Sequence, residues 1–203
     1  MRWRPIGQAA AVVAIAVVAF AVATLLGRPD DAELSFGQDV PDDVRVESDA
    51  VWSHFAERFD ARMTCIDDVT VVLVGSVEGG DARYVVGESR IEIRIPTTPA
   101  RYRESLAHEL AHHVERTCAD FTSLRTDLEP LLAADAESWW VGPTWEETPS
   151  EQFAEAVVEF VNGERVRHAA TVPVDDEVLA VIRRWGVGDE PDPADDPDDD
   201  PDG

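Results

Sequence analysis

The chain reads as an α+β protein: a small antiparallel sheet packed on a long helix and further helices, behind an N-terminal transmembrane helix. Three observations predict this. β-branched and alternating runs cluster between residues 69 and 96, the best amphipathic helix follows them at once, and all later apolar periodicity is helical. Helix, sheet, long helix and further helices therefore follow one another as blocks, which segregates the strands instead of alternating them with helices.

Ile6 to Gly27 runs for 22 residues without a charge, preceded by Arg2 and Arg4 and followed by Arg28, Pro29, Asp30 and Asp31. That length crosses a bilayer core as one helix, and the flanking charges favour a cytoplasmic N-terminus with an exported body. Residues 1–28 are thus expected to be an anchor. Ala21-Val22-Ala23 also has the small-x-small form of a cleavable signal, the alternative in which the body is secreted. Residues 29–49 are rich in Asp, contain Pro41, and read as an acidic linker.

The folded domain is expected over 50–188. Val51, Trp52, Phe55 and Phe59 mark a short helix from Ala50 to Ala61. Val69 to Val74 is a β-branched strand, Gly79-Gly80-Asp81 a turn, and Arg83 to Val86 a second strand. From Glu88 to Pro96 the sequence alternates, with Ile91, Ile93 and Ile95 on one face and Arg90, Glu92 and Arg94 on the other. This predicts a half-buried antiparallel strand. Thr98-Pro99 then opens a helix to Thr117, with Leu106, Ala107, Leu110, Ala111 and Val114 as its apolar stripe. Further helices are expected at Phe121 to Ala136, at Pro149 to Asn162 ended by Gly163, and at Asp175 to Trp185 ended by Gly186. An aromatic loop, Trp139 to Trp145, lies between the first two. Residues 189–203 hold nine acidic residues and four prolines, a composition that cannot offset the entropy of ordering and predicts a disordered tail.

Across 203 residues, 42 acidic side chains oppose 17 arginines, and there is no lysine, so the formal charge is −25. Nucleic acid is excluded as a partner, because every phosphate contact would be made against a repulsive field. Export also suits Cys65 and Cys118, which can pair in an oxidising compartment; neither sits in a CxxC spacing.

His108-Glu109-Leu110-Ala111-His112 is an HExxH motif inside the predicted helix. Residues four apart share a helical face, so both imidazoles can reach one metal ion. Glu109 is displaced around the helix, where it flanks the metal as a general base for a zinc-activated water. A catalytic zinc takes three protein ligands. Position 117 is Thr117, and positions 115 and 118 are Glu115 and Cys118, so neither a third histidine five residues on nor the metzincin pattern is present. His113 points about 100° away from His112 and suits packing or a supporting contact.

Downstream, Glu151-Gln152-Phe153-Ala154-Glu155 lies on the helix that begins at Pro149, 39 residues after His112. Here the chain resembles the gluzincins, zinc metallopeptidases with HExxH on one helix and a glutamate from a second. The likeness spans roughly Arg90 to Val161 and resembles a small, minigluzincin-like core. It implies Glu151 as third zinc ligand and Glu155 as the supporting carboxylate of a ligand histidine. It also implies a peptide or protein substrate, and an edge strand at Arg90 to Ile95 that pairs with it. Other readings of these residues stay open. Glu155 is the alternative ligand, and Thr148-Pro149-Ser150-Glu151 is also a capping box in which Glu151 would reach back to the helix start. Glu159 reads as a solvated residue. No sure oxyanion-stabilising residue is present; Tyr84 is a candidate and Tyr102 reads as core or surface. Trp139, Trp140 and Trp145 are candidate pocket walls, with core packing expected for at least one.

The sequence therefore predicts a membrane-anchored, extracytoplasmic zinc metallopeptidase. The alternative is a weak or inactive metal-stabilised peptide-binding module at the cell surface, and a third reading treats HExxH as accidental.

Overall fold

The structure is a computed structural model and describes residues 32–132, 137–165 and 172–188. The expected anchor at 1–28 and tail at 189–203 lie outside the described residues. Among the described residues, no helix is long and apolar enough to cross a membrane.

The architecture of the described residues is α+β, with five α-helices and one four-stranded sheet. In chain order the elements are β1 (Leu34–Phe36), α1 (Asp42–Arg58), a 3-10 turn (Asp60–Arg62), β2 (Val69–Val74), β3 (Ala82–Val85) and β4 (Arg90–Arg94). Four helices follow: α2 (Pro99–Thr117), α3 (Phe121–Leu128), α4 (Pro149–Asn162) and α5 (Asp176–Val187).

The sheet order is β1-β2-β4-β3, and it is mixed rather than antiparallel. β1 pairs with β2 and β2 with β4 in parallel, while only β3 and β4 are antiparallel. The expected all-antiparallel sheet is not found: β2 and β4 pair in parallel, and β1, which was not foreseen, adds a second parallel pair. Three residues are too short to show an alternation, yet β1, α1 and β2 together form the helical crossover that parallel strands require. Flanked by β2 and β3, β4 is an interior strand. Its Ile91 and Ile93 sit opposite Val71 and Leu73 and are fully buried, so the edge expected at Arg90 to Ile95 is supplied by β3 instead.

Part of the stretch read as linker is thus structured: it holds β1 and the first turns of α1. Pro41 precedes the helix, and Asp42 and Asp43 complement the positive end of its dipole. Ser48 disguised the buried face. Its hydroxyl is wholly buried, bonded to the Tyr102 hydroxyl at 2.6 Å and donating to Val44 O at 2.8 Å, so a polar letter occupies a core position. Tyr102 accordingly belongs to the core.

α2 and α4 match their sequence-derived bounds. Thr98 caps α2 by accepting from Arg101 N, Pro99 stands in its first turn, and Gly163, at φ 73°, closes α4 in the left-handed conformation. α3 is shorter than expected: it ends at Leu128, and Leu131 N bonds Leu128 O in a turn before residues 133–136, which are not described. α5 runs past Gly186 and is capped at Gly188. Gly186 serves packing. A Cβ there would stand 2.6 Å from Arg58 O, so glycine lets α5 lie directly on the end of α1.

Between sheet and helices the core is continuous. Leu106, Leu110 and Val114 of α2 are buried with Phe153 and Val157 of α4, while Phe59 meets Phe55, Phe160 and Trp185 at ring separations of 4.7, 5.6 and 6.1 Å. Cys65 and Cys118 form the expected disulfide, tying the segment before β2 to the C-terminal cap of α2. The metal-motif helix is therefore clamped at its end and packed along its apolar stripe.

Candidate metal centre

Two helices meet at the site. α2 turns His108 and His112 away from its apolar stripe, and α4 brings Glu151, in its first turn, against them. His108 Nε2 lies 3.2 Å from His112 Nε2 and 3.1 Å from Glu151 Oε2, and His112 Nε2 lies 3.5 Å from the same oxygen. The three residues form a group able to hold a metal ion.

The chemistry of this donor set fits a cation. Each Nδ1 faces a carboxylate, an acceptor only, so each must carry the hydrogen: His108 donates to Glu155 Oε1 at 3.2 Å and His112 to Glu115 Oε2 at 2.9 Å. In the neutral tautomer the two Nε2 lone pairs then converge on an anionic oxygen. A small tetrahedral ion with ligands at 2.0–2.1 Å separates them by about 3.3 Å, close to the three spacings found.

Glu155 thus accepts from His108 Nδ1, the ring nitrogen other than the one that faces Glu151. Its other oxygen accepts from Arg165 Nη1 at 3.3 Å, and Arg165 Nε also reaches Glu159 at 3.1 Å. Glu159 is thus tied into an ion pair instead of standing in a purely solvated face. The capping role considered for Glu151 is not adopted: the start of α4 has no side-chain cap, Thr148 Oγ1 donates to Thr144 O, and the Glu151 carboxylate is given to the imidazoles.

Sequence reasoning missed Glu115, Ser150 and Arg165 as parts of this centre. Glu115 is wholly buried as a side chain, and its carboxylate accepts three hydrogen bonds: from His112 Nδ1, from Ser150 Oγ at 2.9 Å and from Trp139 Nε1 at 2.7 Å. The i, i+3 spacing from His112 was a usable signal. Nothing local marks Arg165, ten residues beyond Glu155 and past the end of α4.

The electrostatics follow from these partners. At His108, burial opposes the charged ring, but hydrogen bonds to Glu151 and Glu155 together outweigh it and lift the pKa to about 9. Burial likewise opposes charge at His112, and Glu115 and Glu151 raise it to about 10. Burial also works to raise Glu151, yet hydrogen bonds from the two imidazoles hold it well below the usual carboxylate range. Glu109 goes the other way. Burial pushes its carboxyl up, only partly offset by His108 and His112, and the Tyr84 backbone N–H bonds to it.

An open cleft of about 820 Å³ lies over these groups, lined among others by Tyr84, Glu109, His112, Trp140, Trp145 and Glu151. Trp145 stacks beside the His108 ring, centroids 6.0 Å apart, and Trp140 and Trp145 are partly exposed walls. Trp139 is buried and belongs to the core. The Tyr84 hydroxyl is engaged with His113 Nδ1 at 3.2 Å, while His113 Nε2 donates to Asp67 O at 2.7 Å. That pairing directs the hydroxyl at His113, away from the oxyanion role considered for it, and keeps His113 off the triad. Compared with protein-family models, curated proteins and solved structures, the chain finds no match.

Proposed function

We propose that this protein is a zinc-dependent peptidase of gluzincin type, acting outside the cytoplasm from an N-terminal anchor. The observation that carries the reading is the convergence of His108 Nε2, His112 Nε2 and Glu151 Oε2 beside a buried Glu109, on the floor of an open cleft. Zinc, held by His108, His112 and Glu151, would supply a Lewis acid that polarises a peptide carbonyl and acidifies a water.

The chain's own residues do the rest. Glu109, whose affinity for protons is raised by burial, removes the proton of the attacking water and delivers it to the leaving amine. Glu155 and Glu115 hold both imidazoles in the tautomer that leaves Nε2 free for the metal. β3 pairs with β4 alone among the described strands, and Ala82, Arg83 and Tyr84 line the cleft, which suits an extended peptide laid along that edge.

Metal analysis and one substitution test this. Glu109→Gln should retain about one zinc per chain and cleave nothing, whereas His108→Ala should lose the metal too. Cleavage by Glu109→Gln at the parent rate would remove the mechanism.

A further inference from the structure

Four of the cleft-lining residues of α2 form a ladder at four-residue spacing: Glu104, His108, His112 and Arg116. Arg116 stands four residues, about 6 Å of rise, beyond His112 on the same face. Its guanidinium lies over the Trp140 ring at 3.5 Å from the centroid; burial raises the pKa of the Tyr84 hydroxyl, and the charge of Arg116 nearby works against that rise. Arg116 thus sits between the aromatic loop and β3, at the His112 end of the cleft.

The other two arginines of the cleft are already neutralised. Arg83 is paired with Glu92 at 2.7 Å, and Arg101 with Asp81. Arg116 makes no ion pair among the described residues, although the chain carries 42 acidic side chains. Its partner is a π-face, which fixes the plane of the guanidinium and leaves its edge, with the forked N–H donors, available. A planar cation held in one orientation beside a metal site is built to take a carboxylate in two parallel hydrogen bonds.

We propose that Arg116, presented by Trp140, is the specificity residue of this cleft and binds a carboxylate of the peptide substrate. The carboxylate is an Asp or Glu side chain near the scissile bond or the peptide's own C-terminus. This inference rests on the peptidase reading for the word substrate, and on the cleft alone for the carboxylate. The general field of so acidic a protein repels such peptides, so the preference arises from this one short-range contact and not from long-range attraction.

The test measures binding, not turnover, with the full-length Glu109→Gln chain in the presence of zinc. Three peptides of common sequence are compared: C-terminally amidated with an internal Glu, amidated with Gln at that position, and Gln with a free C-terminus. One of the two carboxylate peptides should bind at least about tenfold more tightly than the neutral one, which also identifies the source of the carboxylate. Adding Arg116→Gln should abolish the difference while leaving the neutral peptide's affinity in place, and Arg116→Glu should turn the preference toward lysine-containing peptides. That reversal is an effect a merely structural arginine would not produce. Peptides that bind without regard to the carboxylate, or a preference that survives Arg116→Gln, overturn the inference alone. If no peptide binds at all, the peptide-cleft reading falls with it.

Discussion

Replacing Glu115 by Gln should damage the candidate metal centre from a position outside its three donor residues. The carboxylate accepts on both oxygens: Oε1 from Trp139, Oε2 from His112 and Ser150. A glutamine of the same shape has one acceptor and one NH₂ donor, so one side of this arrangement must fail. If the amide oxygen keeps His112, the NH₂ meets the Trp139 N–H, and a buried donor goes unsatisfied at about 1–3 kcal/mol. If the oxygen keeps Trp139, the NH₂ meets His112 Nδ1, which favours the tautomer with hydrogen on Nε2 and removes a ligand lone pair. In the second arrangement metal affinity should fall about 10–100-fold. In the first, the unsatisfied group should lower the metal-free melting temperature by roughly 2–12 °C. Zinc competition with a fluorescent chelator, together with thermal unfolding of the metal-free chain, reads both numbers. Parent affinity and parent melting temperature in Glu115→Gln would refute the argument that this carboxylate orients His112.

Three further outcomes are expected. In the metal-free chain, His108 at about 9 and His112 at about 10 are raised above the ordinary 6.5. Their contacts with the carboxylates therefore contribute stability that is full below pH 6.5 and is lost as pH rises through 9 and 10. A metal ion competes with those protons, so melting temperatures with and without zinc should diverge as pH rises over that window, and parallel curves would count against the triad as the metal site. Reducing the Cys65–Cys118 disulfide, which spans 53 residues, should lower stability by about 4 kcal/mol through the freed chain entropy; an unchanged urea midpoint with reductant would contradict it. Gly186→Ala gains about 1 kcal/mol of helix propensity but sets a Cβ against the backbone oxygen of Arg58, an overlap of about 1–3 kcal/mol that rigid backbone relieves poorly. A net loss near 1 kcal/mol is expected by thermal unfolding, and a stabilised Ala variant would show that α5 can move off α1.

The apolar stripe of α2, its Thr98-Pro99 start and the HExxH spacing were legible because each is a pattern within one turn or two of helix, where chain connectivity alone decides which side chains share a face. The same holds for α4 and for β2. Legibility failed where a position is defined by a distant partner. β1 is three residues long and counts as a strand only because β2 lies beside it. Ser48 looks solvated until the Tyr102 hydroxyl reaches it from α2, and Gly186 reads as a helix stop until the end of α1 lies against it.

By itself, then, the sequence determined that two imidazoles and a glutamate share one helix in the geometry of a metal site, and that a second helix carries carboxylates in reach. Which carboxylate does what is a matter of distance between chains of atoms 30 to 50 residues apart. Only tertiary packing decided that Glu151 and not Glu155 faces both Nε2 atoms, that Glu115 turns inward to hold His112, and that β3 rather than β4 forms the rim. The reason is physical: helical periodicity is fixed by local backbone geometry, whereas the docking angle of α4 on α2 and the strand order are set by the shared burial of the core.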